Sequence, residues 1–414
     1  MNMYSISKVS EWNRCFNLLL EADVSEIESN GPGQFFLKRN GQRSQISIGR
    51  SSESDYARGI EEGLIPFVKS NLTKYDPNGF LFEGRLFFSV DGQEIRGRCH
   101  IVLPPSTDYP QVTIAKKSTS LRKLEDLAAR GSMSDEMMAF LIAAMQASRT
   151  ITFSGATGAG KTTMLEAMAN LIPTNVRIGV AEDTPELVLP QPNVSYLHSV
   201  PAQPGLDPNS VASLSWVVQQ FQRMRTDRLI IGETRGKEFA DFLTAANSGM
   251  EGSLTTIHAD DPVACLRKMT NFATEGRPNV PVRAINTDIA NAVDIIVQLV
   301  LLRNGQHRVS HIQEIVPTLG TGEDARITTQ PLYLYDSNKD AFYKEGNMSD
   351  ALRVQFANHG VNPERFLTSE RSVRHPARKV NSSASVSKDN PISTSSNSST
   401  RRLPTSPITG GRSI

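Results

Sequence analysis

Residues 154–173 read SGATGAGKTTMLEAMANLIP, and the order of residue types in them decides the fold. Gly155, Gly160, Lys161 and Thr162 satisfy G-x-x-x-x-G-K-[ST]. In such a phosphate loop backbone N–H groups wrap phosphate oxygens, the lysine reaches the outer phosphates and the hydroxyl serves magnesium. Residues 150–154 (TITFS) alternate β-branched or aromatic side chains up to the loop, and residues 162–171 space apolar side chains for one helix face. Strand, loop and helix follow in the order the motif requires. The predicted nucleotide contact runs through Gly155, Ala156, Thr157, Gly158, Ala159, Gly160, Lys161, Thr162 and Thr163.

The chain of 414 residues is long enough for two or three domains. Its 44 Lys and Arg nearly balance 43 Asp and Glu, but eight of the bases and one acid lie in residues 371–414, leaving 36 bases and 42 acids before them. A mildly acidic body therefore carries a basic tail. Cys15, Cys99 and Cys265 are far apart and odd in number, which fits a reducing cytosol and shows no metal-ligand spacing. The start lacks a basic segment followed by an apolar one, and the longest apolar runs are far short of a membrane span. The expectation is a soluble, cytoplasmic chain that can still sit on a membrane surface.

Five regions are predicted. Residues 1–115 read as an α+β domain, with a short amphipathic helix (SEWNRCFNLLLEA) and hairpins turning at Asn40-Gly41 and Asp91-Gly92. Residues 116–134 are charged and interrupted, as in a linker. Residues 135–335 alternate helical and apolar strand-like segments, which implies an α/β core with a parallel sheet and helices on both faces. Residues 336–370 form a small C-terminal appendage. Residues 371–414 are Ser/Thr-rich with few apolar side chains and are expected to be disordered.

A phosphate loop alone serves kinases, GTPases, helicases and motors, so later charged groups must discriminate. In RIGVAEDTPEL a strand-like run ends at Glu182 and Asp183. These carboxylates either face the crevice at the strand's C-terminal end or begin an acidic helix. DRLIIGETRG ends a buried-type strand in Gly232, Glu233 and Arg235. A carboxylate there holds magnesium through water or activates the attacking water, and glutamate's reach suits the second role. SLTTIHADDP places Thr255, Thr256 and His258 at a third strand end, where such groups can sense the outer phosphate.

The series GATGAGKTT, AEDTPEL, RMRTDRLIIGETRGKE and NSGMEGSLTTIHADDP resembles, in that order, the Walker A, Asp box, Walker B and His box of the secretion ATPase superfamily. Within it the chain is most similar to the type IV secretion ATPases of the VirB-eleven type. Supporting stretches are RGKEFADFLTAANSG, EDTPELVLPQPNV and IRGRCHIVLPPSTDYPQVTIAKKS, and the likeness covers residues 80–335. The resemblance implies a RecA-like domain after a smaller N-terminal domain, a homo-hexameric ring at the cytoplasmic face of the inner membrane, ATP and Mg2+ as ligands, and secretion-machine components as partners. It makes Lys161 and Thr162 the phosphate and magnesium contacts. Glu182 and Asp183 fall in the Asp box, Asp183 as a metal ligand. Glu233, His258 and Arg235 join the catalytic set, and Arg98, ahead of Pro104-Pro105, is a candidate to neutralise phosphate charge.

Two departures stand out. Ala115 replaces the arginine usual in Ile-Arg-Lys, leaving Lys116 as a point charge, and Met250 stands where histidine is common. The leading expectation is a hexameric ATPase powering a type IV secretion or conjugation machine. The alternative is a type II, tight-adherence or type IV pilus ATPase, although the Cys-x-x-Cys insert of type II members and the AIRNLIRE helix of retraction motors are missing. A helicase would need a basic, aromatic-rich track. The acidic body, with 7% aromatics, argues against that and against direct nucleic-acid binding. Intact Lys161 and Glu233 argue against a non-hydrolysing scaffold. An anionic membrane surface is a candidate contact for the basic tail.

Overall fold

Two sheets organise the protein. The computed structural model describes residues 10–21, 23–39, 41–48, 52–65, 68, 72–75, 79–90, 93–117, 123–200, 212–317, 327–367 and 374–376. Met1–Lys379 form one compact unit, and the second, Val380–Ile414, lies outside the described residues.

The first sheet is antiparallel. Its order is β3 (Gln42–Ile46), β2 (Phe35–Arg39), β1 (Val24–Ser29), β7 (Gln111–Lys117), β6 (Gln93–Val102), β5 (Leu81–Val90) and β4 (Leu72–Tyr75). The registers Arg39↔Gln42 and Val90↔Gln93 leave two residues in each of the expected hairpin loops. Asn40, Asp91 and Gly92 themselves lie outside the described residues. The helix Ser10–Leu20 buries Trp12, Cys15, Phe16 and Leu19, an i, i+3, i+4, i+7 stripe. Trp12 meets Phe35 edge-on at 5.6 Å. The buried Tyr56 hydroxyl donates to the Pro110 carbonyl at 2.8 Å, so this core satisfies its polar tip.

The second sheet runs β10 (Val194–His198), β9 (Ile178–Glu182), β11 (Arg228–Thr234), β12 (Leu254–Ile257), β8 (Ile151–Gly155), β13 (Ile295–Leu301), β14 (His307–Pro317), β15 (Ile327–Asp336), β16 (Ala341–Lys344) and β17 (Arg374–Pro376). Pairing is parallel from β10 through β13, as the alternating segments predict. Beyond β13 it turns antiparallel, because short connections join β13 to β14 and β15 to β16. The parallel strands are apolar on both sides: Ile230 joins one hydrophobic cluster, Leu229 and Ile231 the other. Helices cover both faces. Their starts are capped by Ser134, Ser213, Asp261 and Ser349, each accepting from the N–H three residues on.

The region read as a linker contributes Lys116 and Lys117 to β7, and its helix Leu124–Ala129 buries Leu124 and Ala128 in the main core. The region read as an appendage adds β16 to the sheet and packs Phe356 and Phe366 on Phe140 at 5.8 and 5.6 Å. Sequence patterns mark such segments by polarity and miss the few aromatic side chains that anchor them. From the stretch expected to be disordered, Arg374–Pro376 pair with β16; the remainder lies outside the described residues. Among the described residues no helix is long and apolar enough to cross a membrane.

Candidate active site

β8 is buried along its whole length between β12 and β13, and the chain leaves its C-terminal end at Gly155. Ala156, Thr157 and Gly158 are exposed and Ala159 is buried. Gly160 then opens the helix Lys161–Ala169 at φ 94°, a left-handed conformation that favours glycine. No side chain caps this helix, so its first N–H groups remain for a ligand. Thr162 and Thr163 lie half-buried in its first turn.

The Lys161 ammonium is buried and donates to the carbonyls of Gly155 and Ala156, both at 3.0 Å. Its Nζ also lies 3.0 Å from His258 Nδ1, and His258 Nε2 lies 2.7 Å from Glu233 Oε1. Burial lowers the Lys161 pKa to about 8, with Glu233 pulling it up and Arg235 and Lys268 pushing it down. Burial and the Lys161 charge also hold His258 below its ordinary range, which makes it neutral at pH 7. A protonated Lys161 donates into Nδ1, so the ring proton sits on Nε2, the nitrogen nearer Glu233. Burial alone would raise the Glu233 carboxyl, but Arg235, through a 2.5 Å hydrogen bond and its charge, outweighs this with His258 and Lys161. Glu233 is therefore ionised. One run of polar contacts crosses the C-terminal ends of β8, β12 and β11, three neighbouring strands: a hydrogen bond from Lys161 to His258 and a charge-range contact from His258 to Glu233.

Glu182, at the end of β9, is turned inward and 3% exposed. Its Oε1 accepts from the backbone N–H groups of Glu186 and Leu187 at 2.8 and 3.0 Å, so the carboxylate shapes the loop after β9. That loop is not helical. The inward turn needs Gly232 beside it, because a Cβ there would stand 3.0 Å from Glu182 Cγ. Asp183 points outward and accepts from Ser199 Oγ at 2.6 Å. Arg98, from β6, reaches Glu186 Oε1 at 2.5 Å and so ties the first sheet to this loop. Arg235 feels the charges of Glu233, Asp183 and Glu186.

Both departures have structural outcomes. Lys116 gives its ammonium to the Leu19 and Glu21 carbonyls at 2.7 and 2.6 Å, closing the C-terminus of the Ser10–Leu20 helix, and is not a spare charge for phosphate. Met250 is buried in the second hydrophobic cluster, its sulfur 3.7 Å from Thr226 Oγ1. Two neighbours of the site carry no motif. Lys268 donates to the His258 carbonyl at 2.5 Å, and His307, at the start of β14, lies 3.0 Å from the Ala159 carbonyl. A lysine ten residues past the histidine box on the next helix was readable as a neighbour; His307 gave no such signal.

Residues 82–355 match the family described as "Type II/IV secretion system protein". The chain is 30% identical over 328 residues to the type IV secretion system protein VirB11 of Brucella suis, covering 71% of this chain and 86% of the relative. It is 29% identical over 291 residues to VirB11 of Bartonella henselae, covering 61% and 78%. Among solved structures the Legionella pneumophila ATPase DotB has the same fold, with a TM-score of 0.54, 18% identity and coverage of 82% of this chain and 83% of that one. A match over most of the chain, with the loop after β8 and the carboxylate at the end of β11 inside it, shows that the chain belongs to the type II/IV secretion system protein family, on its VirB11 branch.

Proposed function

We propose that the chain hydrolyses ATP, with Mg2+, as a homo-hexameric ring at the cytoplasmic face of the inner membrane, and that the ring drives a type IV secretion or conjugative transfer machine. The observation that carries this reading is the run Lys161–His258–Glu233, which joins a phosphate-loop lysine to an ionised carboxylate through a neutral imidazole. Loop N–H groups and Lys161 hold the phosphates of ATP. Lys161 then exchanges carbonyl acceptors for charged oxygens, a stronger pairing. Glu233 takes the proton of the attacking water. Its two oxygens are engaged by His258 and Arg235, so one must give way, and the mostly exposed Arg235 has the room to do so. Glu182 positions the loop bearing Asp183 and Glu186, and Arg98 couples the first sheet to it.

The residues present fit magnesium of the kind that travels with nucleotide. Among the described residues no group of three His, Cys, Asp or Glu forms a protein-made metal cage. The hydroxyl of Thr162, in the first helical turn, suits an ion held mostly by phosphate and water oxygens. Thr162, with Asp183 of the β9 loop as the second ligand, would hold it, and the ion would neutralise charge on the outer phosphates. The partners in this reading are membrane and cytoplasmic components of the machine.

The test is steady-state ATP hydrolysis by wild type beside Glu233→Gln, with assembly mass read by light scattering. Wild type is expected to turn over slowly as a particle about six times the monomer mass, while the variant binds ATP, stays assembled and loses turnover by about 100-fold or more. A variant as active as wild type sinks the assignment of Glu233, and a wild type that binds ATP without hydrolysing it sinks the motor.

A further inference from the structure

We propose that His307 is a positioning residue for the phosphate loop, acting through the Ala159–Gly160 peptide; this rests on the nucleotide-binding reading of that loop. His307 Nδ1 lies 3.0 Å from the Ala159 carbonyl oxygen. A carbonyl only accepts, so Nδ1 carries the proton and donates. In a trans peptide the C=O and the following N–H point in opposite directions. Holding the Ala159 oxygen toward β14 therefore aims the Gly160 N–H, a donor of the phosphate cradle, away from β14. The same ring atom lies 3.3 Å from where a Gly160 Cβ would stand, so the imidazole also packs on the residue that opens the helix.

The backbone that carries the ring is itself anchored. Arg308 is 1% exposed and donates to the His307 carbonyl at 3.1 Å and to Gln306 Oε1 at 2.6 Å. Its guanidinium stands 5.7 Å over the Tyr335 ring and 3.5 Å from Asp340, which ties the start of β14 to the β15–β16 connection. A buried, multiply bonded arginine next in sequence leaves His307 little freedom. The Ala159 carbonyl is 148 residues away in the chain, so the contact belongs to the tertiary fold and to no local motif.

The experiment compares full-length wild type, His307→Ala and His307→Asn. Asparagine's amide nitrogen can stand where Nδ1 stands and donate to the same carbonyl. Two readouts are taken: hydrogen exchange of the amides of residues 156–163 without added nucleotide, and the dissociation constant and kcat for ATP. His307→Ala is expected to speed loop exchange and weaken ATP binding about three- to tenfold, the worth of one neutral hydrogen bond, with kcat within about twofold. His307→Asn is expected to restore both. Wild-type exchange and affinity in His307→Ala overturn the proposal, as does His307→Asn failing as far as His307→Ala. A wild type that shows no ATP binding overturns the nucleotide reading itself and this proposal with it, while slower exchange in wild type than in His307→Ala would still report the buttress alone.

Discussion

The first sheet and the main sheet use the same charged side chains differently. On the first, Arg39 pairs with Glu21 and Asp23, and Arg43 with Glu28, along a solvent-facing margin where the arginine side chains are 42% and 55% exposed. On the main sheet, Lys161, His258 and Glu233 converge at the C-terminal ends of parallel strands, where Lys161 is 7% exposed. Exposed pairs of the first kind contribute little, since water and salt screen them. Desolvated groups of the second kind change their protonation behaviour, as the lowered Lys161 and His258 show. Parallel pairing makes the difference, because every strand delivers its end residue to the same edge, whereas antiparallel strands alternate their ends.

The contrast is broken hardest by Lys161→Met. Turnover is expected to fall by about a thousandfold or more and ATP affinity with it, read by single-turnover hydrolysis and equilibrium binding. A variant that keeps turnover would place the phosphate contact elsewhere. The pH dependence sharpens the point. Lys161 has a lowered pKa of about 8, so its charge is present below that pH and lost as pH rises through it. Affinity for a slowly hydrolysed ATP analogue should be steady from pH 6.5 to 7.5 and weaken above 8 by up to about tenfold per pH unit. Lys161→Arg, charged throughout, should flatten the curve; an equal slope would assign the titration to another group.

Smaller effects probe the supports. Gly232→Ala drives a Cβ to 3.0 Å from Glu182 Cγ and should destabilise the chain by about 1–3 kcal/mol, seen as a lower midpoint in urea. No shift in midpoint would mean that the β9 loop yields. Arg98→Ala removes a pair whose side chains are 40% and 43% exposed and should change stability by less than about 1 kcal/mol. Its expected signature is a loss of the salt dependence of ATP turnover with the stability unchanged; a salt dependence equal to wild type would detach Arg98 from the site.

Strand-end placement was legible because each residue sits at or just past the end of an apolar run, Lys161, Glu233 and His258 alike, and each run is a parallel strand. Glu182 was legible as a strand-end carboxylate, but its inward turn depends on the empty side of Gly232 across β11, which no spacing encodes. Lys116 looked like a substitute charge until the helix Ser10–Leu20 presented its carbonyls to it. His307 lay outside every motif because antiparallel pairing of β13 and β14 brings it to the loop. The parallel half of the main sheet could be read from its alternation; the antiparallel half, β14 to β17, carries mixed polarity and hides in it.

The three cysteines have a practical consequence. Cys15, Cys99 and Cys265 are free and buried. Burial raises the Cys99 thiol and pushes Cys265 up to about 12, so neither supplies thiolate at neutral pH. Wild type should thus be almost silent to maleimide dyes while folded. A fluorophore pair installed by Ser44→Cys on β3 and Val354→Cys on the helix Asp350–Asn358, both exposed, would label without first stripping the native thiols. Energy transfer between them would give a molecular ruler from one sheet to the other, able to report in real time whether added nucleotide changes their separation.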